Sequence, residues 1–306
     1  MQDTYDIMIL GAGAAGLTAG IYASRAKLKT LILNEGAVGG QMVLTHEIAN
    51  YPGVESISGY ALANIMKKQA RDFGCTIKSN VKIVRYSFEG QIKEVELEDG
   101  RIFRSRSVIV APGGRPRPLG IPGEDIFKGK GISYCATCDG DFFTGKELVV
   151  VGGGNSALEE AVSLTKYATK VTVVHQFDHF QAFAHAIREA EENPKIHFVM
   201  ASELREISGN GNVEKVRYED LKTGGMREMS VDGVFVFIGY LPNTETLSGV
   251  VEMNERGEIV VDQQMRTNIP GVFAAGDSIT KRFRQVTTAV ADGTIAALSA
   301  AEYLRN

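Results

Sequence analysis

The sequence predicts an α/β chain of two Rossmann-like three-layer domains, the second inserted into the first. Three observations carry this. A strand, a Gly-rich turn and a helix open the chain around residues 11–16. The same unit recurs around residues 152–157, 141 positions later (152 minus 11). Two Pro/Gly-rich breaks then divide the chain, whose 306 residues leave room for two domains of roughly 100–200 residues each.

Taken in order, Tyr5 to Leu10 is a short apolar run that reads as a strand and stops at Gly11-Ala12-Gly13-Ala14-Ala15-Gly16. Leu17 to Ala26 is Ala-rich and predicts a helix, since Ala is the best helix former. Lys29 to Leu33 predicts the next strand. The second unit repeats this: strand Glu147 to Val151, turn Gly152-Gly153-Gly154-Asn155-Ser156-Ala157, helix Leu158 to Lys166, strand Val171 to Val174. Pro112-Gly113-Gly114-Arg115-Pro116-Arg117-Pro118 cannot continue a helix or a central strand. A second break falls at Gly239-Tyr240-Leu241-Pro242-Asn243. The expected division is 1–113 and 241–306 for the split domain and 114–240 for the insert.

Composition narrows the function classes. The chain is 44% hydrophobic and 23% charged, with a net charge of -4 and no basic run, which argues against nucleic acid as partner. No run of eighteen apolar residues exists, so no membrane span is expected. The start, Met1-Gln2-Asp3-Thr4-Tyr5-Asp6, carries acid where a signal peptide carries base. Three cysteines, two of them in one CxxC, do not form a secreted disulfide framework. A cytoplasmic protein is expected.

A GxGxxG turn between strand and helix lets backbone N–H groups approach a pyrophosphate at a helix N-terminus. Gly11, Gly13 and Gly16 have that context, and Glu35, 24 residues past Gly11, has the spacing of an acid that binds a ribose hydroxyl. A bound dinucleotide is expected here. Gly152, Gly154 and Ala157 have the same context. There the second strand runs into His175-Gln176-Phe177, with no acid at its tip for a ribose and no Arg for a ribose phosphate. This second turn is either a nicotinamide site or a retained turn that holds no nucleotide.

Cys135-Ala136-Thr137-Cys138 is followed at once by Asp139. Zinc normally takes four N or S ligands, and the one other cysteine, Cys75, lies in an unrelated segment. A redox disulfide is the expected chemistry, because a CxxC lowers one thiol pKa and lets the partner resolve a mixed disulfide. Asp139 is either a proton carrier for that exchange or a turn acid before Gly140. Cys75 is expected to be a small buried residue between a helix and a strand. His175, His179 and His185 lack the carboxylate cluster a metal would need. Phe177, Phe180 and Phe183 recur at helical spacing and are expected to form a packing stripe.

Together these residues resemble the low-molecular-weight thioredoxin reductases over nearly the whole chain. The matching pieces are Gly11 to Gly16, Gly39-Gly40-Gln41, Asn50-Tyr51-Pro52-Gly53, Pro122-Gly123-Glu124 and Tyr134 to Gly140. They continue with Gly152 to Glu160, Gly271 to Asp277 and Arg284-Gln285-Val286. The resemblance implies an FAD domain made of the first and last segments and an NADPH-binding insert. It places Gly11, Gly13, Ala14, Ala15, Gly16, Glu35, Gly40, Gln41, Asn50, Gly276, Asp277, Arg284, Gln285 and Val286 around FAD, with Asp277 on the ribityl chain and Gln285 near the flavin ring. Gly152, Gly154 and Ala157 would take the nicotinamide cofactor. It further implies that Cys138 faces the flavin, Cys135 attacks the disulfide of thioredoxin, and Asp139 moves the proton of the exchange. A homodimer is implied as well. So is rotation of the insert about the two breaks, which lets one CxxC serve both flavin and protein substrate.

The departures matter more. The family has His-Arg-Arg-x-x-x-Arg where this chain has His175-Gln176-Phe177-Asp178-His179-Phe180-Gln181. Losing two charge-assisted hydrogen bonds at roughly 1.5–3 kcal/mol each weakens NADPH by about a hundred- to ten-thousand-fold. That argues against NADPH as donor. NADH is favoured by the intact second turn, and ferredoxin by the missing ribose acid, although Asp178 is near enough in sequence to reach round. Ala14 for the family's usual Pro, and Ala111-Pro112-Gly113-Gly114 for Ala-Thr-Gly-Ala, leave FAD binding unaffected. A dithiol oxidase passing electrons to oxygen and a flavoprotein redox sensor are the alternative readings.

Overall fold

A computed structural model of the chain describes residues 4–44, 48 and 50–305, with the backbone alone at 44, 137 and 138. The acidic start at residues 1–3 lies outside them. The chain forms two compact units: Met1–Arg115 with Leu241–Asn306, and Pro116–Tyr240. The first crossing therefore falls two residues beyond the expected 113/114 boundary (115 minus 113), because Gly114 and Arg115 still extend a strand that begins in unit 1.

Unit 1 begins with β1 (Thr4–Leu10), α1 (Ala14–Arg25), β2 (Thr30–Asn34) and α2 (Gly59–Asp72). It continues with β3 (Thr76–Ser79), β4 (Ile83–Ser87), β5 (Lys93–Leu97) and β6 (Ile102–Val110). The strands run in the order β3-β2-β1-β6-β5-β4. The β1 register, Ile7 against Thr30 on one side and Ser107 on the other, is parallel on both sides. Successive side chains of a strand face opposite ways. Accordingly Ile7 and Ile9 join a core with the helices, while Met8 and Leu10 join a second core on the other face. Each of these four is 0–4% exposed, and a fully buried side chain of that size contributes about 1.5–3 kcal/mol.

The chain leaves unit 1 through β7 (Gly114–Pro116). Unit 2 holds β8 (Ile132–Ser133), the short α4 (Ala136–Asp139, after α3 at Glu124–Phe127), β9 (Glu147–Val151), α5 (Asn155–Leu164) and β10 (Lys170–Val174). Then come α6 (Ala184–Glu191), β11 (Ile196–Val199), β12 (Ser202–Ser208), β13 (Lys215–Asp220), β14 (Gly225–Ser230) and β15 (Gly233–Val236). Its parallel sheet has the order β11-β10-β9-β15-β8, and β12-β13-β14 form an antiparallel sheet. Leu148 and Val150 pack with α5 and α6, and Val149 and Val151 pack with the antiparallel sheet. Both faces of the parallel sheet are thus covered, which is why β9 and β10 read as continuous apolar runs.

The return is β16 (Tyr240–Pro242), which pairs with β7 as a two-stranded sheet. The two expected breaks are therefore the two paired crossings. Unit 1 is then completed by β17 (Val272–Ala274), which pairs with the end of β6, and by α7 (Val286–Tyr303).

The helices after both Gly-rich turns start earlier than the sequence suggests, at Ala14 and Asn155. Gly16 sits inside α1 because a Cβ there would lie 2.0 Å from the Gly11 carbonyl oxygen. The Phe177/Phe180/Phe183 stripe is a misreading. Residues 175–183 form no helix, Phe180 packs into the core, and Phe177 and Phe183 are exposed. Among the described residues no helix is long and apolar enough to cross a membrane.

Candidate functional site

In unit 1 the first turn is fixed by backbone geometry. Gly11 has φ +111° and donates its N–H to the Leu33 carbonyl at 2.8 Å. A Cβ on it would meet the Ala111 carbonyl oxygen at 2.1 Å, and backbone cannot yield. Gly13 differs, since the nearest atom to its imagined Cβ is Gly40 Cα at 3.9 Å. The fold itself does not require a glycine there. Ala14 and Ala15 are buried at the start of α1, whose first turn no side chain caps. That open space and those uncapped amides fit a pyrophosphate.

Around the turn the structure gathers residues distant in sequence. Gly39 donates to the Ala12 carbonyl at 2.8 Å, which brings Gly40 alongside Gly13, and Gln41 follows in the short 3-10 turn Gly40–Leu44. Glu35 ends exposed after β2, and its Oε1 accepts the Ile83 N–H at 3.0 Å. Asn50 Nδ2 donates to Gln285 Oε1 at 3.2 Å across 235 positions, just before Val286 opens α7. Gly276, at φ +84°, comes so close that its Cβ would lie 2.8 Å from that of Ala15.

Asp277 supplies the unsatisfied group. Its Oδ1 is buried without a hydrogen bond, although the Lys281 ammonium lies 3.3 Å away as an ion pair. Burial pushes its carboxyl pKa up, with the Lys281 charge opposing. A buried acceptor of this kind suits a sugar hydroxyl, so the residues present fit FAD. Arg284 donates from Nε to the Asp277 carbonyl at 3.2 Å and pairs with the buried carboxylate of Glu258.

Three residues of this site went unnoticed in the sequence. Asn34 Oδ1 accepts the Ala12 N–H at 2.8 Å, clamping the turn to the end of β2. Lys281 Nζ lies 2.7 Å from Asp292 Oδ2, which also accepts the Gly276 N–H at 3.2 Å. Their only signal lies in side-chain contacts across the fold.

The second turn, in unit 2, repeats the geometry. Gly152 has φ +136°, and a Cβ there would meet the Phe237 carbonyl oxygen at 2.3 Å. Gly154 matches Gly13, with nothing nearer its Cβ position than Gln181 O at 3.9 Å. Ala157 is fully buried, and no side chain caps the first turn of α5. At Gly153, in contrast, a Cβ would fall 2.4 Å from the His175 ring. His175 is buried, its Nε2 has no hydrogen-bond partner, and burial pushes its pKa down. The segment after it folds back on the turn: Gln181 donates to the Gly153 carbonyl at 2.8 Å and Phe183 to Asn155 Oδ1 at 2.7 Å. Asp178 is exposed and bonded to His179 at 3.0 Å, which holds its carboxyl below the usual range.

The redox motif lies elsewhere in unit 2. Cys135 is in a disulfide and stands at the N-terminal boundary of α4 without a capping side-chain bond, whereas the Cys138 side chain lies outside the described residues. Asp139 donates its N–H to the Cys135 carbonyl at 3.2 Å. Its carboxylate Oδ2 accepts the Ser133 hydroxyl at 2.6 Å, and Ser133 Oγ in turn accepts the Cys135 N–H at 3.1 Å. Ser133 is the fourth residue missed in the sequence. Cys75 is a free buried thiol between α2 and β3, as expected. Among the described residues no group of His, Cys, Asp and Glu could hold a metal.

Comparison with known proteins places this geometry. The pyridine nucleotide-disulphide oxidoreductase family matches residues 5–293. The chain is 45% identical to the thioredoxin reductase of Peptoclostridium acidaminophilum, over 99% of this chain and 98% of that protein. It superposes on the crystal structure of Lactococcus lactis thioredoxin reductase (FR conformation) with a TM-score of 0.80, at 40% identity and 99% coverage of each chain. The ferredoxin-flavin thioredoxin reductase of Clostridium acetobutylicum gives a TM-score of 0.53 at 31% identity, covering 99% of this chain and 98% of that one.

Proposed function

We propose a function for a chain that belongs to the pyridine nucleotide-disulphide oxidoreductases, among the low-molecular-weight thioredoxin reductases: it reduces the disulfide of a thioredoxin with FAD held in unit 1 and the Cys135/Cys138 pair of unit 2. It is an enzyme, a flavin disulfide oxidoreductase. The observation that carries the reading is a disulfide at Cys135 with a carboxylate, Asp139, one helical turn away and tied back to it.

FAD, when bound, supplies the two-electron carrier between the donor and this disulfide. The chain's own residues bind and orient it. The Gly11–Gly16 turn and the α1 amides take the pyrophosphate, Glu35 a ribose hydroxyl, and Asp277 Oδ1 a ribityl hydroxyl, while Asn50 and Gln285 hold one another at the start of α7. In the disulfide step Cys135 attacks the substrate, Cys138 resolves, and Asp139 carries the proton. The working form is read as a cytoplasmic homodimer, which sedimentation at twice the chain mass tests.

The donor is read as NADH. Gly152, Gly154 and Ala157 keep an open cradle, while residues 175–181 contain no Arg to hold the 2′-phosphate of NADPH. Ferredoxin is the second reading, favoured by the His175 ring against Gly153 and by the pairing of Asp178 with His179, which leaves no acid at the tip of β10. The test is anaerobic bleaching of the flavin by NADH, NADPH or photoreduced ferredoxin, in the wild type and in Gly154→Ala. Fast bleaching by NADH, slowed at least tenfold in Gly154→Ala, is the expected result. Bleaching by ferredoxin alone, unchanged in the variant, makes the second turn a relic. Fast bleaching by NADPH overturns the argument from the missing arginines.

A further inference from the structure

Ser133 lies outside every sequence motif described above, yet it touches both ends of the redox turn. It is 5% exposed on β8, whose register sets it opposite Phe235 of β15. A hydroxyl has one proton to donate. Two acceptors compete for it: Asp139 Oδ2 at 2.6 Å and the Cys135 carbonyl at 3.2 Å. The shorter contact, to a carboxylate, is the stronger by the general rule for charge-assisted bonds. The Ser133 lone pairs meanwhile accept the Cys135 N–H at 3.1 Å. One buried side chain on a rigid strand thus fixes the Cys135 backbone and one oxygen of Asp139, leaving Asp139 Oδ1 as the atom that exchanges protons.

We infer that Ser133 is the positioning residue of the thiol–disulfide step, acting through Asp139 by holding its carboxylate in one rotamer beside Cys135. This rests on the proposed role of Asp139. The Cys135 thiolate attacks one sulfur of the substrate disulfide, so a Cys135–substrate S–S bond forms and the substrate S–S bond breaks. The electron pair leaves on the second substrate sulfur, which takes the proton carried by Asp139. The Cys138 thiolate then attacks Cys135 sulfur, closing the enzyme disulfide and releasing the first substrate sulfur as a thiolate that solvent protonates. The substrate gains two electrons and the enzyme dithiol loses two. Asp139, ionised after its transfer, accepts the Ser133 O–H until solvent reprotonates it.

Ser133→Ala removes the hydrogen bond that holds the Asp139 carboxylate. The holoenzyme, reduced with dithionite and mixed with oxidised thioredoxin in a single turnover, reads this directly. Ser133→Ala is expected to slow thioredoxin reduction about tenfold, the size of one lost bond to a carboxylate. Ser133→Thr, which keeps the hydroxyl, is expected to restore the rate. In an Asp139→Asn background, Ser133→Ala is expected to cost nothing further. An unslowed Ser133→Ala, a Ser133→Thr as slow as Ser133→Ala, or full additivity with Asp139→Asn overturns the inference while leaving Asp139 in place. An Asp139→Asn enzyme with wild-type rate and pH profile instead removes the proposed role of Asp139, and this inference with it.

Discussion

Single residues in this chain show how burial sets reactivity. Cys75 packs against Gly20 of α1, and burial pushes its thiol up to about 12 from an ordinary 9.0, with a bond to Ser24 opposing. Of the chain's three cysteines, it is therefore the inert one. After reduction of the Cys135/Cys138 pair, a thiol reagent at pH 8 is expected to titrate two groups in the native protein and three in denaturant. A third native thiol at that pH contradicts the burial argument. The sign of the linked stability follows. Between about 9 and 12 the unfolded chain has released this proton and the folded one has not, so Cys75 favours folding fully below 9 and loses that contribution as pH rises through 12. None of this is legible in Phe73-Gly74-Cys75 beyond the guess of burial. Ser133, Asn34 and Lys281 were likewise silent, because their roles rest on contacts with partners set by the fold.

At the scale of elements, the two strand–turn–helix units were legible because a GxGxxG turn is local chemistry. The positive-φ glycine and the helix start fall within six residues, although the carbonyls that crowd Gly11 and Gly152 belong to the distant Ala111 and Phe237. Positions within the turn are not equivalent. Gly11→Ala puts a Cβ 2.1 Å from a backbone oxygen and is expected to cost several kcal/mol of unit 1 stability, in the range of strong overpacking with backbone strain. Gly13→Ala meets nothing closer than 3.9 Å, so it is expected to keep the Tm of the flavin-free protein within a degree or two while releasing FAD. Flavin retention and apo-protein melting, measured on both variants, separate the two. A Gly13→Ala protein that retains its flavin contradicts the placement of pyrophosphate at this turn. The failed element is the Phe177 to Phe183 segment. Its spacing is helical, but hydrogen bonds from Gln181 to Gly153 and from Phe183 to Asn155 hold it as a loop. Those partners lie 28 residues upstream (181 minus 153, 183 minus 155), beyond the reach of local periodicity.

At the scale of the whole molecule, the doubled unit and the two breaks made the nested organisation legible. The first crossing was not, since β7 owes its strand form to pairing with β16. The nesting also separates the chemistry by unit: the Gly11 turn and Asp277 belong to unit 1, and the Cys135 turn and Ser133 to unit 2. Asn50 and Gln285, which meet in unit 1, come from opposite sides of the whole insert.

That nesting has a consequence for synthesis on the ribosome. Unit 2 is a single continuous stretch, whereas unit 1 lacks β17 and α7 until the last residues emerge. After Arg115 another 188 residues must be added to reach Tyr303 (303 minus 115), about 10–40 s of translation at about 5–20 residues per second. During that interval the hydrogen-bonding edge of β6 at Val108 to Val110, which β17 pairs with, stands open, and nascent unit 1 must be sheltered while the later-made unit 2 is already folded. Nascent chains stalled with 240 residues outside the exit tunnel should resist protease over 116–240 and be cut within 4–115. Protection of the earlier segment at that length would mean that its sheet closes without its C-terminal pieces.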